Sequence, residues 1–352
     1  MQHVRRERLT SSWAPDRNLD RGTTTVDGSP VAAQLVPETA RPRRSHDGYR
    51  HEAFLWRSDE EFLAGTVPFV QEGVEAGQPV MVAVVPRRID LLRDAVGAAA
   101  AGVEFVDMEQ LGANPARIIP AWRQFTDEHT EAGRAVRGIG EPIWDGRRAS
   151  ELVECQLHEA LLNMALEVDT PLWLLCPYDA SALPEAVVAE AHRSHPVVVD
   201  GRVHRGSTAY GGAHHVAMMF EADLPAGDAP AGHQPFGPDE LMAVRTVVHS
   251  RAASAGLTTD QAADLALAVH EVAVNCVEHG GGRGELRIWQ DDGALVVEVR
   301  DSGRIVDPMV GRRLPAWDED GGRGLWLANQ LCDLVQIRSG AAGTTVRIHA
   351  WL

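Results

Sequence analysis

Between about residue 50 and residue 200, short valine-rich apolar runs alternate with longer amphipathic stretches, and few folds satisfy that pattern. Residues 80–86 (VMVAVVP), 103–108, 135–142, 172–178 and 196–200 read as strands. Residues 87–97, 115–131, 149–167 and 184–193 read as helices, the last opened by Pro184. Strands that are apolar at nearly every position need cover on both faces, which a parallel sheet flanked by helices supplies. The expectation is an α/β parallel-sheet N-terminal domain over residues 46–220.

That alternation stops at residues 221–237 (EADLPAGDAPAGHQPFG), where prolines and glycines replace large apolar side chains. Such composition marks an interdomain linker, placed at 221–236. Beyond it the pattern changes to a helix over 238–255 and a second helix from a cap at Thr258 or Thr259 to His279. Strands follow at 284–290 and 294–300, joined by Asp291, Asp292 and Gly293, a strong hairpin signal. A loop to about Gly321, a helix to Cys332 and a closing hairpin (334–338, 344–348) complete an α+β C-terminal domain, residues 237–352, with an antiparallel or mixed sheet and helices on one face.

Residues 1–45 show no apolar periodicity and read as a disordered tail. The first fifty residues hold nine arginines against six acids, a net +3, so the remainder carries −20 of the formal −17. That excess of acid opposes binding to nucleic acid or to anionic lipid. With 44% hydrophobic residues, mean hydropathy of −0.18 and no long apolar run, a membrane span is not expected. All 33 basic residues are arginine, because the chain contains no lysine. A P-loop, a eukaryotic-type kinase lysine and a pyridoxal Schiff base are thereby excluded. The four cysteines (Cys155, Cys176, Cys276, Cys332) lie far apart with no C-x-x-C pair, and they read as reduced thiols. Arg5 and Arg6 are followed by no apolar stretch, so a cytoplasmic location is expected.

Open parallel sheets take ligands at the carboxyl ends of their strands. Two segments end there, Gly140-Glu141-Pro142-Ile143-Trp144 and Cys176-Pro177-Tyr178-Asp179, which makes Glu141, Cys176, Tyr178 and Asp179 candidates for a sensory pocket. In the second domain, Glu271, Asn275 and His279 stand four residues apart on one stripe of a helix that is otherwise mostly Ala and Val. A carboxylate and a carboxamide on such a helix face either solvent or a ligand. Asp301, Ser302 and Gly303 then end a strand, Gly322, Arg323 and Gly324 open a helix, and Gly343, Thr344 and Thr345 begin the last strand. Glycines at a helix start expose amide N–H groups suited to phosphate, and a strand-end Asp suits an exocyclic amine.

In this order, E-x-x-x-N at Glu271 and Asn275, D-x-G at Asp301 and Gly303, G-x-G-L at Gly322–Leu325 and the closing Thr344 and Thr345 resemble the ATP-binding domain of the gyrase, histidine-kinase and MutL superfamily. The resemblance is strongest to its serine-kinase branch, the anti-sigma factors of the RsbW type, with a Bergerat-type ATP-binding sandwich. It implies Mg²⁺ held by Asn275, adenine read by Asp301 beside Gly303, phosphates at Gly322, Gly324 and Leu325, support from Thr345, and Glu271 as general base on a serine hydroxyl. Ile305 stands where members often carry a second glycine, and Arg304, Arg312 and Arg313 follow in the loop. His270 reads as structural. The front half, with His46, His51, the 140–144 and 176–179 segments, His195 and Pro196, looks like the MEDS sensory domain that RsbA-type regulators pair with this ATPase.

The resemblance therefore implies a stress-responsive transcription regulator that binds ATP and Mg²⁺ and phosphorylates a serine on an anti-anti-sigma (STAS-type) partner, so setting the availability of a sigma factor. The alternative is a catalytically silent protein-binding switch, with or without nucleotide, that sequesters one of those proteins. A small-molecule signal at the front domain and a homodimer through the sheet of the second domain are implied partners; nucleic acid and membrane are not.

Overall fold

The computed structural model describes residues 48–130, 134–226, 233–315 and 322–352. The tail expected over 1–45 and the middle of the expected linker lie outside them. Seven strands, β1 (Arg50–Trp56), β2 (Val80–Val84), β3 (Val103–Asp107), β4 (Val136–Gly140), β5 (Leu172–Asp179), β6 (Val197–Asp200) and β7 (Val203–Gly206), form the first sheet in the order β3-β2-β4-β5-β1-β6-β7. Pairing is parallel throughout except for β7, which returns antiparallel along β6. The expected parallel sheet is thus present, with an added antiparallel edge.

Its helices are α1 (Asp59–Glu75), α2 (Pro86–Val96), the single turn α3 (Met108–Leu111), α4 (Ile118–Thr130), α5 (Ala149–Ala165), α6 (Glu185–Ser194) and α7 (Gly212–Glu221). Ser58 Oγ accepts from the Glu61 amide to start α1, and Pro86, whose missing N–H costs nothing in a first turn, starts α2. Phe62, Phe69, Ile89 and Leu92 cover one sheet face over Val80, Val82 and Val84. Ile118, Trp122, Leu157 and Leu161 cover the other over Ala53, Met81 and Leu174. Because side chains alternate along a strand, β2 feeds both cores, which is why its sequence reads as an unbroken apolar run.

The second sheet is antiparallel, built from β8 (Gln234–Phe236), β9 (Gly284–Asp291), β10 (Ala294–Asp301), β11 (Leu334–Gly340) and β12 (Gly343–Trp351) in the order β11-β12-β10-β9-β8. Helices α8 (Leu241–Ala255), α9 (Thr259–His279) and α10 (Arg323–Leu331) lie on one face, sealing Val244, Val248, Leu265, Val269 and Ala328 against Leu286, Val297, Val346 and Ile348. Asp292 and Gly293 both take positive φ, 46° and 71°, as a tight β9–β10 hairpin requires. Residues 234–236, expected within the linker, instead form the edge strand β8, where Pro235 is tolerated.

The two sheets belong to one compact unit. Met309, from the loop after β10, is 1% exposed within the core of the first sheet, and α7 contributes Val216 to that core and Phe220 to the other. Gln336 on β11 donates to Ser150 O, and Arg148 stacks 4.0 Å over Trp351 of β12, so the N-terminal end of α5 covers that end of the second sheet's outer face. No helix among the described residues is long and apolar enough to cross a membrane.

Gly138 on β4 lies under Trp122, whose ring carbon would stand 2.5 Å from an added Cβ. Gly138→Ala is expected to cost about 1–3 kcal/mol through overpacking. A denaturant midpoint equal to that of the wild type would contradict that packing.

Candidate functional site

Helix α9 begins with a reciprocal cap: Thr258 Oγ1 accepts from the Gln261 amide, and Gln261 Oε1 accepts from the Thr258 amide at 3.0 Å. Its Ala and Val positions fill the core, which turns Glu271 and Asn275 toward the start of α10. There Gly324 is packed so closely that a Cβ would meet Asn275 Nδ2 at 3.1 Å and Glu271 Oε2 at 3.3 Å. The Gly322–Gly324 pair and the E-x-x-x-N stripe, distant in sequence, are therefore one constellation. Gly322 caps α10 with φ of 76°, a left-handed conformation that glycine adopts without strain, at a helix start of the kind that suits an anion.

Beside this lies a cavity of about 250 Å³ whose wall includes Asn275, His279, Asp301, Gly303, Ile305 and Leu325. Asp301 ends β10 half-buried, and its Oδ1 accepts from the Gly303 amide at 2.7 Å. Burial raises its carboxyl above the usual range, against the Gly303 amide and the Cys276 thiol, which lower it. A Cβ on Gly303 would lie 2.7 Å from Gly280 Cα, so only glycine admits this approach of strand end to helix end. Asn275, Asp301, Gly303, Gly322 and Leu325 thus share one cavity wall, Gly324 packs behind Asn275, and Glu271 stands at the margin. His279 joins the wall; His270, expected to be structural, is half-buried on another side of the helix.

The closing strand differs in one residue. Thr344, not Thr345, lines the cavity; its Oγ1 donates to Gly303 O at 2.9 Å and meets Ser339 Oγ at 2.8 Å. Thr345 points to the opposite sheet face, since the apolar alternation of Val346, Ile348 and Ala350 puts even-numbered residues inward. Ile305 also has a defined place: its side chain forms cavity wall and its amide donates to Ser339 Oγ at 2.8 Å. Its φ is not positive, so the position does not require glycine.

The loop arginines are all engaged. Arg304 pairs with Glu221 at 2.9 Å and Arg313 with Asp307 at 3.3 Å, both exposed, while Arg312 is buried and reaches Glu154 of α5 at 2.9 Å. Arg338 of β11 reaches the other oxygen of the same carboxylate at 2.6 Å. Asn114 and Arg117, in the turn before α4, donate to the carbonyls of Asn329, Gln330 and Cys332 that end α10. The first domain therefore holds both the loop after β10 and the far end of the helix whose start faces the cavity. None of these contacts was foreseen from the sequence, although Glu151, Glu154, His158 and Glu159 in one otherwise apolar helix are a signal that α5 is buried on more than one side.

The four sensory-pocket candidates do not converge. Glu141 and Asp179 face the α1–α2 side, where Arg88 lies 2.8 Å from Glu141 and 3.7 Å from Asp179 and stacks 4.3 Å from Trp56. Cys176 and Tyr178 alternate to the α5 side, within the core that holds Leu157 and Leu161. Burial pushes the Glu141 carboxyl up to about 7, with Arg88 opposing. A folded-state pKa above the unfolded one means that the folded chain keeps its proton longer, so this group removes stability as pH rises from 4.5 toward 7. Glu141→Gln should flatten that part of the stability–pH profile. Parallel profiles for variant and wild type across the window would contradict the assignment.

Residues 50–196 match the family described as MEDS, MEthanogen/methylotroph, DcmR Sensory domain, and residues 235–350 match the histidine kinase-like ATPase domain family. No curated protein matches the chain. Among solved structures, the RsbU and RsbW domains of a Mycobacterium tuberculosis protein are similar at 23% identity with a TM-score of 0.26, over 35% of this chain and 33% of that one. The chain thus spans about a third of that structure's length. The chain joins a MEDS domain at its N-terminal end to a histidine kinase-like ATPase domain at its C-terminal end.

Proposed function

We propose that the chain is a signal-responsive anti-sigma regulator whose ATPase domain binds ATP with Mg²⁺ and phosphorylates a serine on an anti-anti-sigma partner. The observation that carries this reading is the shared cavity of Asn275, Asp301, Gly303 and the start of α10. The residues fit the nucleotide. Asp301 supplies a half-buried acceptor for an amine, the wall of Ile305, Val310 and Leu325 suits an apolar ring, and the start of α10 suits phosphate oxygens. Asn275 offers one carboxamide oxygen to a cation, in keeping with the sparse protein ligation of Mg²⁺ beside phosphates. When bound, the nucleotide would supply the phosphoryl group. Glu271 would accept the hydroxyl proton of the incoming serine, and catalysis would otherwise rest on positioning and charge.

Calorimetric titration of the full chain with ATP and Mg²⁺ tests the site, with Asn275→Ala expected to weaken binding at least tenfold. Glu271→Ala should keep binding and lose transfer of labelled phosphate to a STAS-type partner; equal transfer in the variant would remove Glu271 as base. The alternative, a protein-binding switch without catalysis, draws on the engagement of Arg304, Arg312 and Arg313 by carboxylates of the same chain. Saturable ATP binding with no transfer to any STAS-type partner would favour it.

A further inference from the structure

Four side chains from separate elements meet inside the first domain: His51 of β1, Glu159 of α5, Cys176 of β5 and His195 just after α6. Each is 2% exposed or less, and one ligand atom from each lies within 4.8 Å of all the others. His51 Nε2 stands 3.0 Å from Glu159 Oε2 and 3.4 Å from Cys176 Sγ; His195 Nε2 stands 3.3 Å from the same carboxylate oxygen.

The outer atoms of both rings fix their tautomers. His195 Nδ1 faces Ala191 O at 2.9 Å, and a carbonyl can only accept, so Nδ1 carries the hydrogen. Asn163 Nδ2 donates to Ser194 O at 2.7 Å, which turns Asn163 Oδ1 to His51 Nδ1 at 3.1 Å and places a hydrogen there too. Both Nε2 atoms of the neutral rings therefore present lone pairs to an anionic oxygen and a sulfur. His195 Nε2 and Glu159 Oε1 are buried and make no hydrogen bond to any described residue. Four acceptors facing one point, with a single thiol hydrogen among them, is an arrangement that buried protein avoids unless a cation sits between them.

We propose that His51, Glu159, Cys176 and His195 form a binding site for a divalent transition metal of the zinc class. A tetrahedral ion with bonds of 2.0–2.3 Å spaces its ligand atoms about 3.3–3.7 Å apart; the observed separations of 3.3 and 3.4 Å lie within that range and that of 3.0 Å lies just below it. Charge also balances. A dication with one carboxylate and one thiolate is neutral, which minimises the cost of burial, and a mixed N, O and S donor set excludes Ca²⁺ and Mg²⁺, which take oxygen. Nδ1 hydrogen bonds to a carbonyl and a carboxamide are the outer-shell partners that orient metal-bound imidazoles. Glu159 lies on the same helix as Glu154, so the metal would fix α5, the helix that holds Arg312.

The site is closed to solvent, so the metal enters as the chain folds. The test is the full chain expressed in medium in which Co²⁺ replaces zinc. One equivalent of cobalt per chain, tetrahedral d–d bands and a thiolate-to-cobalt charge-transfer band are expected. Cys176→Ser should lose the charge-transfer band, while Cys155→Ser, buried in the same core, should keep it. Folded wild-type chain with no stoichiometric metal, or a charge-transfer band that survives Cys176→Ser, would overturn the proposal.

Discussion

Glu154 is a carboxylate with 1% exposure set between two arginines of the second domain, and it ties the loop after β10 and strand β11 to α5 of the first. Arg312 and Arg338 are themselves buried, at 5% each, so none of the three charges has water to fall back on. A buried ion group of this kind adds little stability over apolar packing, but removing one member is costly because the others are left uncompensated. Its effect is therefore specificity. The loop after β10 and strand β11 are held in one position against α5, and Met309 is carried into the first core by the same approach.

This arrangement gives the first domain two handles on the cavity between the end of α9 and the start of α10. One is the loop carrying Ile305 and Val310 on the cavity wall, with Arg312 two residues farther on at Glu154. The other is α10, nine residues and about 13 Å long, with its start at the cavity and its last carbonyls held by Asn114 and Arg117. Basic and amide donors at a helix C-terminus satisfy orphan carbonyls and complement its dipole. A shift of α5 or of the turn before α4 would reach the cavity through these contacts, since packed elements move as units rather than deforming continuously.

Much of this was legible in the sequence where local chemistry decides the outcome. The Asp292-Gly293 turn set the β9–β10 hairpin, the Thr258 cap set the start of α9, and the glycine motifs in their order marked the cavity. Strand β1 was missed because its first three residues, Arg50, His51 and Glu52, are polar, and it lies between β5 and β6 only through long-range pairing. Strand β8 was read as linker for want of apolar length. Thr344 could have been preferred to Thr345 from the alternation of Val346, Ile348 and Ala350. Pairs such as Glu154 with Arg312, 158 residues apart, leave no local trace, and neither does the convergence of His51, Glu159, Cys176 and His195.

The first domain holds the loop beside the cavity, and amide hydrogen exchange reads that hold directly. The Val310 amide donates to Asp307 O and the Arg312 amide to Met309 O, so both are protected only while the loop is held in place. Slow exchange is expected at residues 309–312 in the wild-type chain and much faster exchange there in Glu154→Gln, with the β9–β10 hairpin unchanged. Equal exchange at 309–312 in both proteins would contradict it.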